Sequence, residues 1–470
     1  MDICFLSARE LARRIHRKEL SAREVVDAHL KQIDRINPQL NAMVTLVADA
    51  ARKQAADADE AAAHGKFWGP LHGLPVAFKD LHETKGIRTT FGSPVYRDYV
   101  PNFNRLIVER TQNAGAITMG KTNTPEFGAG SQTLNTVFGP TRNPWDLTKT
   151  CGGSSGGTAV ALACGMVALA DGSDHGGSLR NPASFCSIAG MRPSPGRVPN
   201  IPAGNGWSPQ SVAGPMARNI EDLALYLSAI AGPDARAPLS IHEPGLHFAP
   251  SLGREMKGLK IAWCESFAGL PFDKRVIEVM SAQRAKFESL GCITEDADPD
   301  FTGADEGFKI LRALLSYQSY APLLEEHSGQ IKATLRAEIE QGSRLTVAQI
   351  SHGEMLRSAV FARIGEFMTR YDFMVLPVSQ VPPFPIEQEY PMEVAGQRMK
   401  TYIDWMRSCY FISMTGLPAV SVPAGFTPEV LPVGLQIVGR HHDDFGTLQM
   451  AYAFEQMSGV HGRIPAVALA

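Results

Sequence analysis

A chain of 470 residues, 44% of them apolar and 20% charged, has the material for a large packed core. Its length allows about three domains, although single α/β domains also reach this size. The net charge of −3 leaves no basic excess of the kind a nucleic-acid footprint needs, so small molecules are the expected partners.

The first 64 residues read as helical. Ser21 and Glu24 form an S-x-x-E capping box, and Val26, Leu30 and Ile33 recur at helical spacing until Asn37-Pro38 is expected to break the run. Asp49 to His64 is Ala-rich and again helical. From Gly69 the pattern changes: GPLHGLPVAFKD gives turn residues, then a short apolar run, Leu74 to Phe78, ending at Lys79. Ala116–Met119 and Ile188–Met191 read as strands, Ala159–Ala170 as a buried helix, and Ile220–Ala231 as a helix stopped by Gly232-Pro233. A Pro-rich linker spans Pro233 to Pro250. Beyond it, a strand at Leu259–Trp263 leads into amphipathic helices at Val276–Leu290, Phe308–Leu324 and Val347–Arg370. Phe373–Val378, Ala419–Pro423 and Val433–Val438 read as strands, and a helix from Phe445 closes the chain. Alternating strands and helices argue for an α/β architecture.

Seven cysteines, Cys4, Cys151, Cys164, Cys186, Cys264, Cys292 and Cys409, are odd in number and contain no C-x-x-C pair. That pattern speaks against a disulfide framework or a zinc site and fits a reducing compartment. The N-terminal MDICFLSARELARR has no basic region followed by an apolar one, unlike a signal peptide. The longest apolar stretch, Ala159–Ala170, falls short of the about 20 residues that span a bilayer. A cytoplasmic location without membrane contact is expected.

The most informative segment is CGGSSGGTAVALACGMVALADGSDHGGSLR, Cys151 to Arg180. Two glycine-rich loops, each bearing serine, flank the expected buried helix. Their glycines permit unusual backbone angles. Free backbone N–H groups beside a serine suit acyl transfer, in which the hydroxyl attacks a carbonyl and the N–H groups hold the oxyanion. No G-x-S-x-G motif supplies a histidine base. Lysine is the other option, and Lys79 ends an apolar run where burial would keep its amine neutral.

Three blocks then resemble the amidase signature family: GPLHGLPVAFKD at 69–80, GGSSGG through GGSLRNPASFC at 152–186, and TGLPAVSVPAGF with LPVGLQIVGR at 415–440. GPMARNIEDLALYLSAIAG at 214–232 is a weaker fourth. The resemblance implies a Ser–Ser–Lys triad, with Lys79 as base, Ser154 as the bridging serine on a cis peptide, and Ser178 as nucleophile. It also implies an oxyanion hole from the N–H groups of His175, Gly176, Gly177 and Ser178. Ser155, Ser173, Asp174 and Arg180 match supporting positions. Three departures stand out: Ser173 replaces a threonine, His175 replaces a smaller residue, and RPSPGRVP after Met191 lacks the tyrosine typical of glutamine-hydrolysing amidotransferases.

Other clusters have plainer readings. GGSSGG is not followed by G-K-[ST], so it is no phosphate loop. His441-His442-Asp443-Asp444 lacks further ligands at zinc spacing and reads as a surface loop. Cys151 reads as a small buried residue.

The expected architecture is an amidase-signature α/β fold, a mixed twisted sheet surrounded by helices. Its parts are an N-terminal helical segment (1–64), a catalytic core (65–235), a variable and mostly helical region (236–370), and a C-terminal part completing the sheet (371–470). The expected activity is hydrolysis of neutral, apolar acyl or aryl amides, extending to esters and carbamates. No metal or other cofactor is expected, and a homodimer is compatible with the reading. Leu311, Leu314, Tyr317, Phe361 and Phe367 are the candidate pocket residues, and Arg180 is the only cation expected nearby. The rivals are an inactive scaffold and the glutamine-hydrolysing component of a tRNA-dependent amidotransferase.

Overall fold

The computed structural model describes residues 2–469. Eleven strands form one mixed sheet. In chain order they are β1 (Met43–Leu46), β2 (Pro75–Lys79), β3 (Ile117–Thr122), β4 (Leu169–Asp174), β5 (Ala189–Arg192), β6 (Val212–Ala217), β7 (Lys260–Trp263), β8 (Ile293–Asp296), β9 (Phe373–Pro377), β10 (Ala419–Phe426) and β11 (Pro432–Val438). Across the sheet the order is β1-β3-β2-β4-β6-β5-β10-β11-β9-β7-β8. β2 runs parallel to β3 and β4, whereas the neighbours from β4 across to β11 pair antiparallel. Helices cover both faces, so every residue of β2, β3, β5, β6, β9 and β11 is buried. This is the expected α/β architecture, a mixed sheet surrounded by helices. Strands β7 and β8, from the segment otherwise rich in helices, extend the same sheet beyond β9.

Several sequence expectations need correction. The apolar run Ala159–Ala170 is not one helix. Helix Gly156–Ala163 stops at Cys164 and Gly165, the latter at φ +65°, and β4 begins at Leu169. A helix and a strand that are each buried all round leave no periodicity to separate them. Pro38 does not end its helix either: the helix runs Ala22–Leu40 and stops at Asn41, whose φ is +54°. Asn37 shapes that end, accepting from Ala42 and Met43 N–H at 2.9 and 2.8 Å. The 276–290 run splits into helices Lys274–Ser281 and Arg284–Ser289. Strands β1 and β8 and helix Ala333–Ser343 were not expected. The Ser21–Glu24 capping box forms as read.

Among the described residues no helix is long and apolar enough to cross a membrane. The seven cysteines are free and buried.

Candidate active site

The topology brings the two serine loops together. β2 and β4 are parallel neighbours, with Ala77 paired to Ala170, so their C-terminal ends open at the same edge. The Gly156–Ala163 helix descends from that edge and β4 climbs back to it. Ser154, just before the helix, and Ser178, just after β4, therefore meet. The Ser155 N–H donates to the Ser178 carbonyl at 3.2 Å and ties the loops to each other. The Gly153–Ser154 peptide is cis.

Lys79 at the end of β2 is fully buried. Its Nζ lies 2.7 Å from Ser154 Oγ, 2.9 Å from Ser155 Oγ and 3.1 Å from Ser173 Oγ. Burial lowers its pKa to about 7, against the pull of Asp171 and Asp174. An amine at that pKa is a competent base near neutral pH. Ser178 is only half-buried and faces the cavity.

Asp174 organises the loop between β4 and Ser178. Its carboxylate accepts from Gly177 N–H at 2.9 Å and Leu179 N–H at 3.2 Å. It also accepts from Arg180 Nε and Nη2, both at 3.0 Å, and from Arg192 Nη1 at 3.2 Å. Burial alone would raise the Asp174 pKa, but the two guanidinium groups hold the carboxyl well below the usual carboxylate range. The Gly177 N–H is therefore taken up by Asp174 within the loop, which leaves three of the four N–H groups expected for the oxyanion hole without such a partner. The N–H groups of His175, Gly176 and Ser178 take part in no hydrogen bond among the described residues. Arg180 is fully buried and also reaches the Cys409 carbonyl, Gln436 Oε1 and Ser413 Oγ. Gln436, in the C-terminal sequence block, thus braces the loop from below.

Two further groups near Lys79 escaped the sequence reading. Asp171 Oδ1 accepts the Lys79 backbone N–H at 2.7 Å, and Oδ2 lies 2.6 Å from His82 Nδ1. The only signal was an aspartate standing directly after the apolar run that ends at Ala170. Gly128, at φ +70°, packs against the bridging position: a Cβ there would stand 3.4 Å from Ser154 Oγ.

Ser154, Ser173, His175, Gly176 and Ser178 line a cavity of about 440 Å³. None of the five expected pocket residues lines it. Leu311 and Phe367 belong to the core, Tyr317 is 41% exposed and Phe361 packs on His441. Helical spacing reveals a stripe but not what the stripe faces. The face that does line the cavity holds Phe308, Arg312, Leu315 and Tyr320. Arg312 and Arg105, not Arg180, are the arginines that line the cavity. The imidazole of His175 lies 5.1 Å from the Phe308 ring, and burial keeps it neutral with a pKa of about 3.

The remaining candidates are structural. Burial pushes the Cys151 thiol up to about 12, leaving it protonated. Asp443 caps the last helix and Asp444 pairs with Arg197, while His441 and His442 stack on the surface.

A family model described as Amidase matches residues 24–448. The chain belongs to the amidase signature family. It is 34% identical to an acylamidase of Rhodococcus erythropolis over all of this chain and 98% of that one. It is also 34% identical to the A component of the glutamyl-tRNA(Gln) amidotransferase of Moorella thermoacetica, over the full length of both. Among solved structures, a bacterial aryl acylamidase of the amidase signature enzymes superposes with a TM-score of 0.92. The two are 30% identical over 98% of each chain. Such amidase signature members support amide hydrolysis as the general activity.

Proposed function

We propose that this chain is a serine amidohydrolase that cleaves neutral acyl or aryl carboxamides, with esters and carbamates as further substrates. The observation that carries the reading is Lys79: fully buried, with a pKa of about 7, and ringed by three serine hydroxyls at 2.7–3.1 Å. In the proposed relay, neutral Lys79 takes the Ser154 proton while Ser154 takes that of Ser178. Ser178 attacks the carbonyl, and the N–H groups of His175, Gly176 and Ser178 hold the oxyanion. The proton returns through Ser154 to the leaving nitrogen, and water cleaves the acyl-enzyme by the same path. Ser155 and Ser173 orient the amine, and Asp174 with Arg180 fixes the loop. The acylamidase and aryl acylamidase relatives support the amide class. Free, buried cysteines support a cytoplasmic location.

A second reading has the full-length similarity to an amidotransferase component in its favour: ammonia release from glutamine for a partner. The deciding experiment compares kcat/KM for an acyl-nitroanilide, an aryl carbamate, glutamine and malonamate. Faster turnover of the first two is expected. Much faster turnover of glutamine or malonamate would overturn the proposal, and co-purifying partner proteins would favour the second reading.

A further inference from the structure

One face of helix Ala304–His327 forms a wall of the cavity, with Phe308, Arg312, Leu315, Ser319 and Leu323 recurring along it. Phe308 marks the end nearest the Ser178 loop. A Cβ on Gly176 would stand 3.2 Å from its ring, and the ring stacks on Tyr410 at 4.3 Å. Arg312 follows one turn later, about 6 Å along the axis at roughly 1.5 Å per residue. It is a lone cation in a stripe of otherwise uncharged side chains.

Its bonding is incomplete. Arg312 Nη2 forms an ion pair with Glu338 Oε2 at 2.9 Å and donates to the Tyr402 hydroxyl. Nε is buried with no partner. Nη1 forms no hydrogen bond among the described residues and is not enclosed. The side chain is 12% exposed, and that exposure is to the cavity it lines. A guanidinium has five donors, and a buried donor left unmet is costly. The site therefore presents a charged donor to whatever fills the cavity.

The surrounding charge decides what that is. Arg312 is paired with Glu338, and the cavity's other cation, Arg105, is paired with Glu83 at 2.7 Å. Glu338 is further held by Ser316 and Tyr402. A carboxylate on the ligand would be placed against Glu338, whereas a neutral carbonyl accepts from Arg312 without that repulsion.

We propose that Arg312 determines specificity by binding a second, neutral carbonyl of the substrate, so that the preferred substrates are two-carbonyl compounds such as diamides, ester-amides or dicarbamates. This rests on the serine amidohydrolase reading and narrows it.

The test uses anilides of equal length in three forms: a plain alkyl chain, a neutral ester or amide carbonyl stepped outward bond by bond from the scissile carbon, and a carboxylate at the same positions. One set places the group in the acyl part and a second in the amine part. In the unaltered enzyme, kcat/KM for the neutral two-carbonyl form should exceed that of the plain form by roughly 10- to 100-fold in one set, the range for a hydrogen bond from a charged donor. The ratio should fall towards one in the Arg312→Met/Glu338→Gln double variant, which avoids stranding a buried carboxylate. Equal rates for the plain and two-carbonyl forms, preference for the carboxylate, or an unchanged ratio in the double variant would overturn the proposal. Should the double variant not fold, the unaltered enzyme and Arg312→Lys decide, the latter with a reduced ratio expected. If no anilide is hydrolysed, the serine amidohydrolase reading itself fails.

Discussion

The pKa of Lys79 is open to a direct kinetic test, with pH as the perturbation. Burial moves the amine from 10.5 to about 7. If neutral Lys79 is the base, kcat/KM follows the neutral fraction. That fraction is roughly one tenth at pH 6, one half at pH 7 and nine tenths at pH 8. The sign is fixed: the protonated amine has no lone pair, so activity is lost as pH falls through the folded pKa. An unperturbed lysine would be only about 0.3% neutral at pH 8, and the rate would still be climbing tenfold per unit at pH 9. Initial rates of an acyl-nitroanilide between pH 5 and 10 separate the two cases. A single acid limb near pH 7 with a plateau above pH 8 is expected. A limb that climbs to pH 10, or a flat profile from pH 5, would refute the buried-base reasoning.

Three further outcomes follow from the neighbours of this amine. Asp171→Asn keeps acceptor and donor atoms near Lys79 and His82 but removes the charge that raises the lysine pKa; the acid limb of the same profile should move to lower pH. Arg180→Ala leaves Asp174 buried with one guanidinium fewer and should cost about 3–5 kcal/mol of stability, measured by denaturant unfolding; an unchanged midpoint would contradict the bracing role. Gly128→Ala puts a Cβ 2.8 Å from Leu81 Cδ1 and 3.4 Å from Ser154 Oγ, at φ +70°; kcat should fall roughly 10- to 100-fold, while an unaltered kcat would show that Ser154 needs no such packing.

How much of this was legible in the sequence depends on whether the signal was local. The end of β2 at Lys79 was visible because an apolar run stops there at a charge. The loops around Ser154 and Ser178 were visible because their glycines cluster. The boundary at Gly165 was not, because helix and strand on either side are buried on every face. Asp171 and Gly128 act through contacts made across the sheet and between loops, which no spacing reveals. The pocket was misread for a geometric reason. Stripes at Leu311, Leu314 and Phe367 have the right chemistry for an apolar pocket. Which stripe of a helix meets the cavity, however, depends on packing against distant elements such as Tyr402 and Tyr410. Arg312 therefore stayed hidden, although it stands one turn from Phe308 on the same face.

The central claim is that Ser178 carries the acyl group, served by Ser154 and Lys79. The most direct measurement is intact-mass analysis with peptide mapping after treatment with a fluorophosphonate or a slowly turned-over aryl ester. One adduct per chain is expected, on Ser178, absent from Ser178→Ala and formed far more slowly in Lys79→Ala. An adduct on Ser155 or Cys151, or full-rate labelling of Lys79→Ala at pH 8, would contradict the account.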